Sequence, residues 1–325
     1  MRLLRVELRR LAARRVFRVL VLLAFLALAL LLGKAAWDSH PPTPAQLAAA
    51  QKQAELARKQ MPPVEQQIKD CENAKAAGQG PPKDFDCTTI AHEPQTSDFL
   101  TDHIFRFRDQ APSGLTGFSV VLALLGFVVG ASFVGAEWSA GTMGSLLTWE
   151  PRRLKVLATK GAALALLLAA VGAALLAGFL AASYGIAAWR GDTTGATRGL
   201  LLSLGLTGLR GTVLGAGAAL GGFAVAGTLR STTAALGLGF AYFVGGEILL
   251  RNFWRGSPPW LLTSNVGAWL IHSFHIDTFV CPPQGGQCLQ KTVRLSQAHG
   301  GAYLGVLLVA ALLVWAVSFR RRDVT

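Results

Sequence analysis

The stretch GAEWSAGTMGSLLTWEPRRLKVLATK, Gly135–Lys160, lies between two apolar runs, about 115–136 before it and 156–183 after it. A turn joining two helices needs only a handful of residues, so this segment is too long to be a mere connection. Its order is interpretable. Glu137 closes the first apolar run. Trp138, Met143, Leu146, Leu147 and Trp149 then supply apolar surface, and Ser139, Thr142, Ser145 and Thr148 supply small polar contacts. No charged residue falls from Ser139 to Trp149. Pro151 pushes the residue before it out of the helical region and ends any helix there. Arg152, Arg153 and Lys155 then precede the next apolar run. An uncharged amphipathic element flanked by arginines suits burial in a protein groove. The competing expectation is a helix lying in the lipid interface.

Working outward, the apolar residues come in blocks of about 20, the length that crosses a ~30 Å hydrocarbon core at ~1.5 Å per residue. The expected fold is therefore an all-α integral membrane protein with six transmembrane helices, at 16–36, 115–136, 156–183, 199–229, 232–250 and 302–319. The fourth block is long and contains Arg210. It is expected to divide into an interfacial or re-entrant segment, 199–210, and a span from Gly211 to Leu229. A cleaved signal peptide is the rival for the first block. The run Val16–Leu32 is long for that, and Lys34 stands where a cleavage site needs a small residue. Ahead of it, residues 1–15 set Leu4, Leu8 and Leu11 on one face among arginines, the pattern of an amphipathic helix on the inner membrane surface.

The formal net charge is +13. Its placement points to topology rather than to nucleic acid. Seven arginines lie in residues 1–18, four Lys/Arg in 152–160 and three arginines at 320–322, whereas 37–114 carries 11 Asp/Glu against 8 Lys/Arg. Under the positive-inside rule both termini and 137–155 are cytoplasmic, with 320–325 as a tail, and 37–114, 184–198 and 251–301 are extracytoplasmic. Trp37, Trp189, Trp254, Trp260 and Trp269 then fall at outer ends, and Trp138, Trp149 and Trp315 toward inner ends, as in an interfacial belt. The first outer piece reads as two polar helices, the second of them after Pro62-Pro63. All four cysteines fall outside, where disulfides form. Proximity favours Cys71–Cys87 and Cys281–Cys288 among the three possible connectivities.

No phosphate-binding G-x-x-x-x-G-K-[ST] loop occurs, so this chain is not expected to hydrolyse nucleotide itself. The six histidines are scattered, and neither a metal site nor a catalytic set is indicated. Charges within spans are candidate pathway residues: Arg210, Glu247, and Arg251 one turn beyond Glu247 on the same face. An anchoring ion pair at the membrane boundary is the alternative for the last two. Gly126 with Gly130, and Gly211 with Gly215, form small-residue faces suited to close helix packing.

The quoted segment resembles the inner loop of ABC-2 type transporter permeases. The resemblance is carried by Glu137, Gly141-Thr142, Leu146-Leu147, Pro151 with Arg152-Arg153, and Lys160. The N-terminal RVELRRLAARRVFRVL also looks like the start of such permeases, actinobacterial ones in particular. The resemblance implies the transmembrane subunit of an ATP-driven exporter in a bacterial cytoplasmic membrane. Two permease subunits, as a homo- or heterodimer, would join two copies of a separate ATP-binding subunit, which would hold the ATP and Mg²⁺; no cofactor is implied for this chain. It implies that Glu137, Trp138, Ser139, Gly141, Thr142, Met143, Leu146, Leu147, Trp149 and Arg152 belong to the coupling segment that docks on the ATPase. The first outer piece, about 78 residues, is larger than many members carry there. Two other classes stay open: a secondary transporter or channel, which calls for several polar residues at mid-membrane, and a non-transporting scaffold or sensor with an extracytoplasmic binding domain.

Overall fold

The computed structural model describes residues 2–40, 43–76, 87, 93–99, 104–149, 152–253, 257–272, 274–280 and 289–321. The chain starts with α1 (Arg2–Ala13) and, after a break at Arg14, α2 (Arg15–Asp38). Two polar helices follow, α3 (Pro44–Gln60) and α4 (Val64–Ala76). Then come α5 (Phe107–Ser139), the short α6 (Thr142–Trp149), α7 (Arg153–Arg190) and α8 (Arg198–Leu229). Next, α9 (Thr232–Tyr242) runs on as a wider π-helical stretch, Phe243–Leu250, and a last turn, α10 (Arg251–Phe253). The C-terminal part holds α11 (Leu262–Leu270), the strands β1 (Phe274–Val280) and β2 (Leu289–Leu295), and α12 (Gln297–Arg321).

Among the described residues six helices are long and apolar enough to cross a membrane: Arg15–Asp38, Phe107–Ser139, Arg153–Arg190, Arg198–Leu229, Thr232–Phe253 and Gln297–Arg321. The protein is a multi-pass membrane protein. Two features depart from expectation. Residues 198–229 form one unbroken helix rather than a segment plus a span. No proline interrupts it, Thr197 caps its start by accepting the Leu200 N–H, and Arg230 ends it in the left-handed region at φ 54°. The chain is also not all helix. β1 and β2 pair antiparallel from Phe274↔Leu295 to Val280↔Leu289. β-Branched residues, Ile276, Thr278, Thr292 and Val293, recur along both strands, a local preference too short to register against the helical pattern around it.

Two compact units divide the chain. The first comprises Met1–Gly33, Phe107–Gly185 and Thr193–Thr325. Its central seam is α5 against α8. A β-carbon on Gly130 would lie 1.9 Å from the Ala219 carbonyl oxygen, and one on Gly222 2.2 Å from that of Phe127. The two backbones therefore touch, and only glycine fits at these points. Gly126 and Gly215 meet on the same seam, so the small-residue faces expected from the sequence are the ones brought together. At one end of the seam an apolar cluster joins Leu11, Phe17, Phe133, Met143, Leu164, Phe223, Trp315 and Phe319. Trp315, expected at an interface, is buried there, edge-on to Phe223 with ring centroids 4.1 Å apart and packed over Gly227.

The second unit comprises Lys34–Arg106 with Ile186–Asp192. Thr43 and Gln46 form a capping box at the start of α3. Arg58 donates to the Pro94 carbonyl at 2.9 Å and pairs with Glu93 at 3.2 Å. Ser39 donates to the Arg190 carbonyl at 2.9 Å and accepts the Phe105 N–H at 3.0 Å, which ties the end of α2 to the end of α7. A disulfide joins Cys71 to Cys87, 16 residues apart. Cys281 and Cys288, the other expected pair, lie outside the described residues.

Candidate functional site

The quoted segment occupies the end of α5, a turn, and α6. The turn is set by Gly141 at φ +67°, a left-handed conformation that suits glycine. Its two flanking bonds run from Ala140 N–H to the Ala136 carbonyl and from Gly141 N–H to the Trp138 carbonyl. Thr142 then opens α6 and reaches back with its hydroxyl to the Glu137 carbonyl at 3.3 Å. Arg152 begins α7 by accepting the N–H groups of Lys155 and Val156 at its carbonyl.

Beneath this elbow lies a buried charge cluster. The Lys160 ammonium donates to Glu137 Oε1 at 2.9 Å and to Glu7 Oε2 at 3.0 Å. The Arg14 guanidinium donates to the same Glu137 Oε1 at 2.7 Å and to the Phe133 carbonyl at 2.8 Å. Lys160 and Glu7 are each 1% exposed and Glu137 8%. At hydrogen-bond distance two carboxylates thus meet two cations, a formally neutral set, with exposed Arg10 a longer partner of Glu7 at 3.7 Å. Both cations also face the Phe133 ring, at 4.7 Å for Arg14 and 5.2 Å for Lys160, which adds a cation–π attraction.

Local periodicity delivers these groups. On α7, Val156, Lys160, Ala163 and Leu164 share one buried stripe. On α1, Glu7 and Leu11 are one turn apart and both buried. On α5, Phe133 and Glu137 are likewise one turn apart, so a single guanidinium at the α1–α2 break reaches both. Removing charges from water is costly, and such a cluster persists only when its members are paired and hydrogen-bonded. Here Glu137 Oε2 is the exception: it is buried with no hydrogen-bond partner among the described residues.

The residues picked from the sequence divide sharply. Glu137 is buried in the cluster rather than presented. Met143, expected on the presented surface, is 2% exposed and packs into the apolar cluster. Trp138 is half-buried between Phe319, with centroids 6.2 Å apart, and the Arg230 guanidinium, 4.6 Å from its ring. Ser139, Gly141, Thr142, Ser145, Thr148 and Arg152 are exposed. Leu146, Leu147 and Trp149 lie in the α6 backbone. Glu7 and Arg14 were not anticipated. The signal was present: Glu7 is the single acid before Asp38, and Lys160 is the one charged residue between Lys155 and Arg190, so each needs a partner.

The intramembrane charges sit elsewhere. Glu247 is 4% exposed, in the π-helical stretch. Its carboxylate accepts the Thr263 N–H at 2.9 Å, the Thr263 hydroxyl at 2.5 Å and the Tyr242 hydroxyl at 3.2 Å. It therefore caps the start of α11, whose own cap position, Leu261, offers no side-chain oxygen. Arg251 pairs with it at 3.7 Å and donates to the Thr263 hydroxyl at 2.8 Å. Glu247 and Arg251 are thus paired with each other and with Thr263 at the start of α11. Arg210 does not join them. It is half-buried in α8, and its carbonyl accepts the Trp269 indole N–H at 3.1 Å. No group of three or more His, Cys, Asp or Glu able to hold a metal occurs among the described residues.

A search of curated proteins finds no match to the chain. The family described as ABC-2 family transporter protein matches residues 1–324. That match gives no support to an actinobacterial origin. Six candidate spans, a mostly helical fold and a match over nearly the whole length agree: the chain belongs to the ABC-2 family of transporter proteins.

Proposed function

We propose that this chain is the permease subunit of an ATP-driven ABC-2 exporter and that residues 137–152 are where it is coupled to a separate ATP-binding subunit. ABC-2 permeases typically lack an ATPase domain of their own, and the family generally implies an ATP-binding partner. In this reading two copies of the ATPase, carrying ATP and Mg²⁺, serve two permease subunits. Both termini and 137–155 face the cytoplasm of a bacterial cell, and 37–114 and 251–301 face outward. The spans are strongly apolar, which favours an amphipathic or hydrophobic cargo.

One observation carries the coupling assignment. The elbow presents an uncharged outer face while being fixed from beneath to α1, α5 and α7 by a cluster of three buried charges and the part-buried Arg14. A surface helix that only rested in lipid would need no such foundation. A push on α6 is instead delivered to the ends of α5 and α7, two helices that run 33 and 38 residues. α5 then transmits it along its glycine seam to α8.

The test is co-expression with an ATPase subunit encoded beside the gene. Wild type is expected to co-purify with it. Gly141→Asp, which adds a charge to the presented turn and strains a left-handed position, is expected to lose it while the chain still inserts. Retention of the ATPase by Gly141→Asp, with ATP hydrolysis unchanged, contradicts the assignment.

A further inference from the structure

The role of α1 lies outside the coupling segment as the sequence defines it. Of its ionisable side chains, Arg5, Arg9 and Arg10 are exposed, whereas Glu7 is 1% exposed and points at Lys160. Lys160 is also the ammonium that holds Glu137. The order of contact is therefore Glu7, Lys160, Glu137, Arg14, and it closes on itself, because Arg14 directly follows α1. A short helix laid on a membrane for its basic and apolar faces alone has no use for a buried acid.

We propose that Glu7 is a positioning residue of the coupling element. Through Lys160 it fixes Glu137 and the elbow, so that α1 and the 137–149 segment behave as one mechanical piece. Without the Glu7 charge, one carboxylate faces two cations, Lys160 and Arg14, both already crowded on Glu137 Oε1. Lys160, 1% exposed, then keeps a buried charge with half its partners gone, and rearrangement of the elbow relieves it. The inference deepens the coupling assignment but does not need the ATPase for its test.

Hydrogen exchange on the full chain in lipid nanodiscs reads it directly. Glu7→Gln is nearly isosteric and leaves the cluster one positive charge in excess. Amides of 137–145 are expected to exchange about tenfold faster or more, along with those of α1, because opening becomes local and shared. Glu7→Gln combined with Lys160→Gln restores neutrality and is expected to return 137–145 to within about threefold of wild type. Arg10→Gln, which removes only the half-exposed partner at 3.7 Å from Glu7, is expected to change nothing at the elbow. If Glu7→Gln alone fails to insert and the double variant inserts, charge balance is upheld by that result. The proposal is overturned if Glu7→Gln leaves 137–145 unchanged, if its effect stops at α1, or if the double variant is no better than the single. Failure here with a normal loss of ATPase in Gly141→Asp removes Glu7 from the coupling element and leaves the docking assignment standing. The converse pair of results removes the docking assignment alone.

Discussion

At the scale of single residues, Lys160 decides most. It stands two turns into α7, nearly inaccessible, with both its partners on other helices. Replacing it with Met keeps the volume and leaves Glu137 with Arg14, and buried Glu7 with only the exposed Arg10 at 3.7 Å. Removing one member of a buried ion cluster typically costs about 3–5 kcal/mol, so Lys160→Met is expected to lower the thermal unfolding midpoint markedly in detergent. Loss of little or no stability would mean that the cluster is open to water. Glu247 makes the contrasting case. Glu247→Ala strips three hydrogen-bond acceptor contacts from the first turn of α11 and the Tyr242 hydroxyl. That is expected to cost about 1–3 kcal/mol, with faster exchange confined to α11 and no effect on ATPase retention. Loss of the ATPase on Glu247→Ala would contradict that local role.

At the scale of elements, the α5–α8 seam sets the closest tolerance. Gly130→Leu would drive a side chain into the Ala219 backbone. Overpacking of this kind costs about 1–3 kcal/mol or more, and here no rotamer escapes it, because the obstacle is backbone. The expected outcome is a chain that inserts but loses its compact form in size-exclusion chromatography; Gly117→Ala, which meets nothing within 4 Å, is the control expected to behave as wild type. The glycine pairs were legible in the sequence as spacing, and their partner was not, since spacing names a face and not what it meets. The same limit explains the rest. The apolar runs gave the six long helices because length and hydropathy are local properties. The β1–β2 pair was missed because two seven-residue strands carry too little pattern to register beside the long helical runs. The fourth span was split in expectation because 199–229 looked too long for one perpendicular helix and contains Arg210, whereas α8 is continuous and leaves Arg210 half-buried. Met143 was assigned outward because composition alone does not say which face of an eight-residue helix turns in.

At the scale of the whole molecule, a closely packed glycine seam between α5 and α8 leads to an elbow at the end of α5. The sequence motif drew attention to the segment that folds as the end of α5, a turn and α6. It could not reveal the foundation, because Glu7 and Lys160 are 153 residues apart and only folding joins them. In a family whose permeases typically lack an ATPase domain of their own, the elbow's uncharged outer face is the part expected to meet an ATP-binding partner. The most direct measurement places a photo-crosslinking amino acid at Ser145, exposed on α6, in cells that co-express the ATPase subunit. The account predicts a covalent adduct to that ATPase, lost in Gly141→Asp. An adduct to lipid alone, with the ATPase untouched, would contradict it.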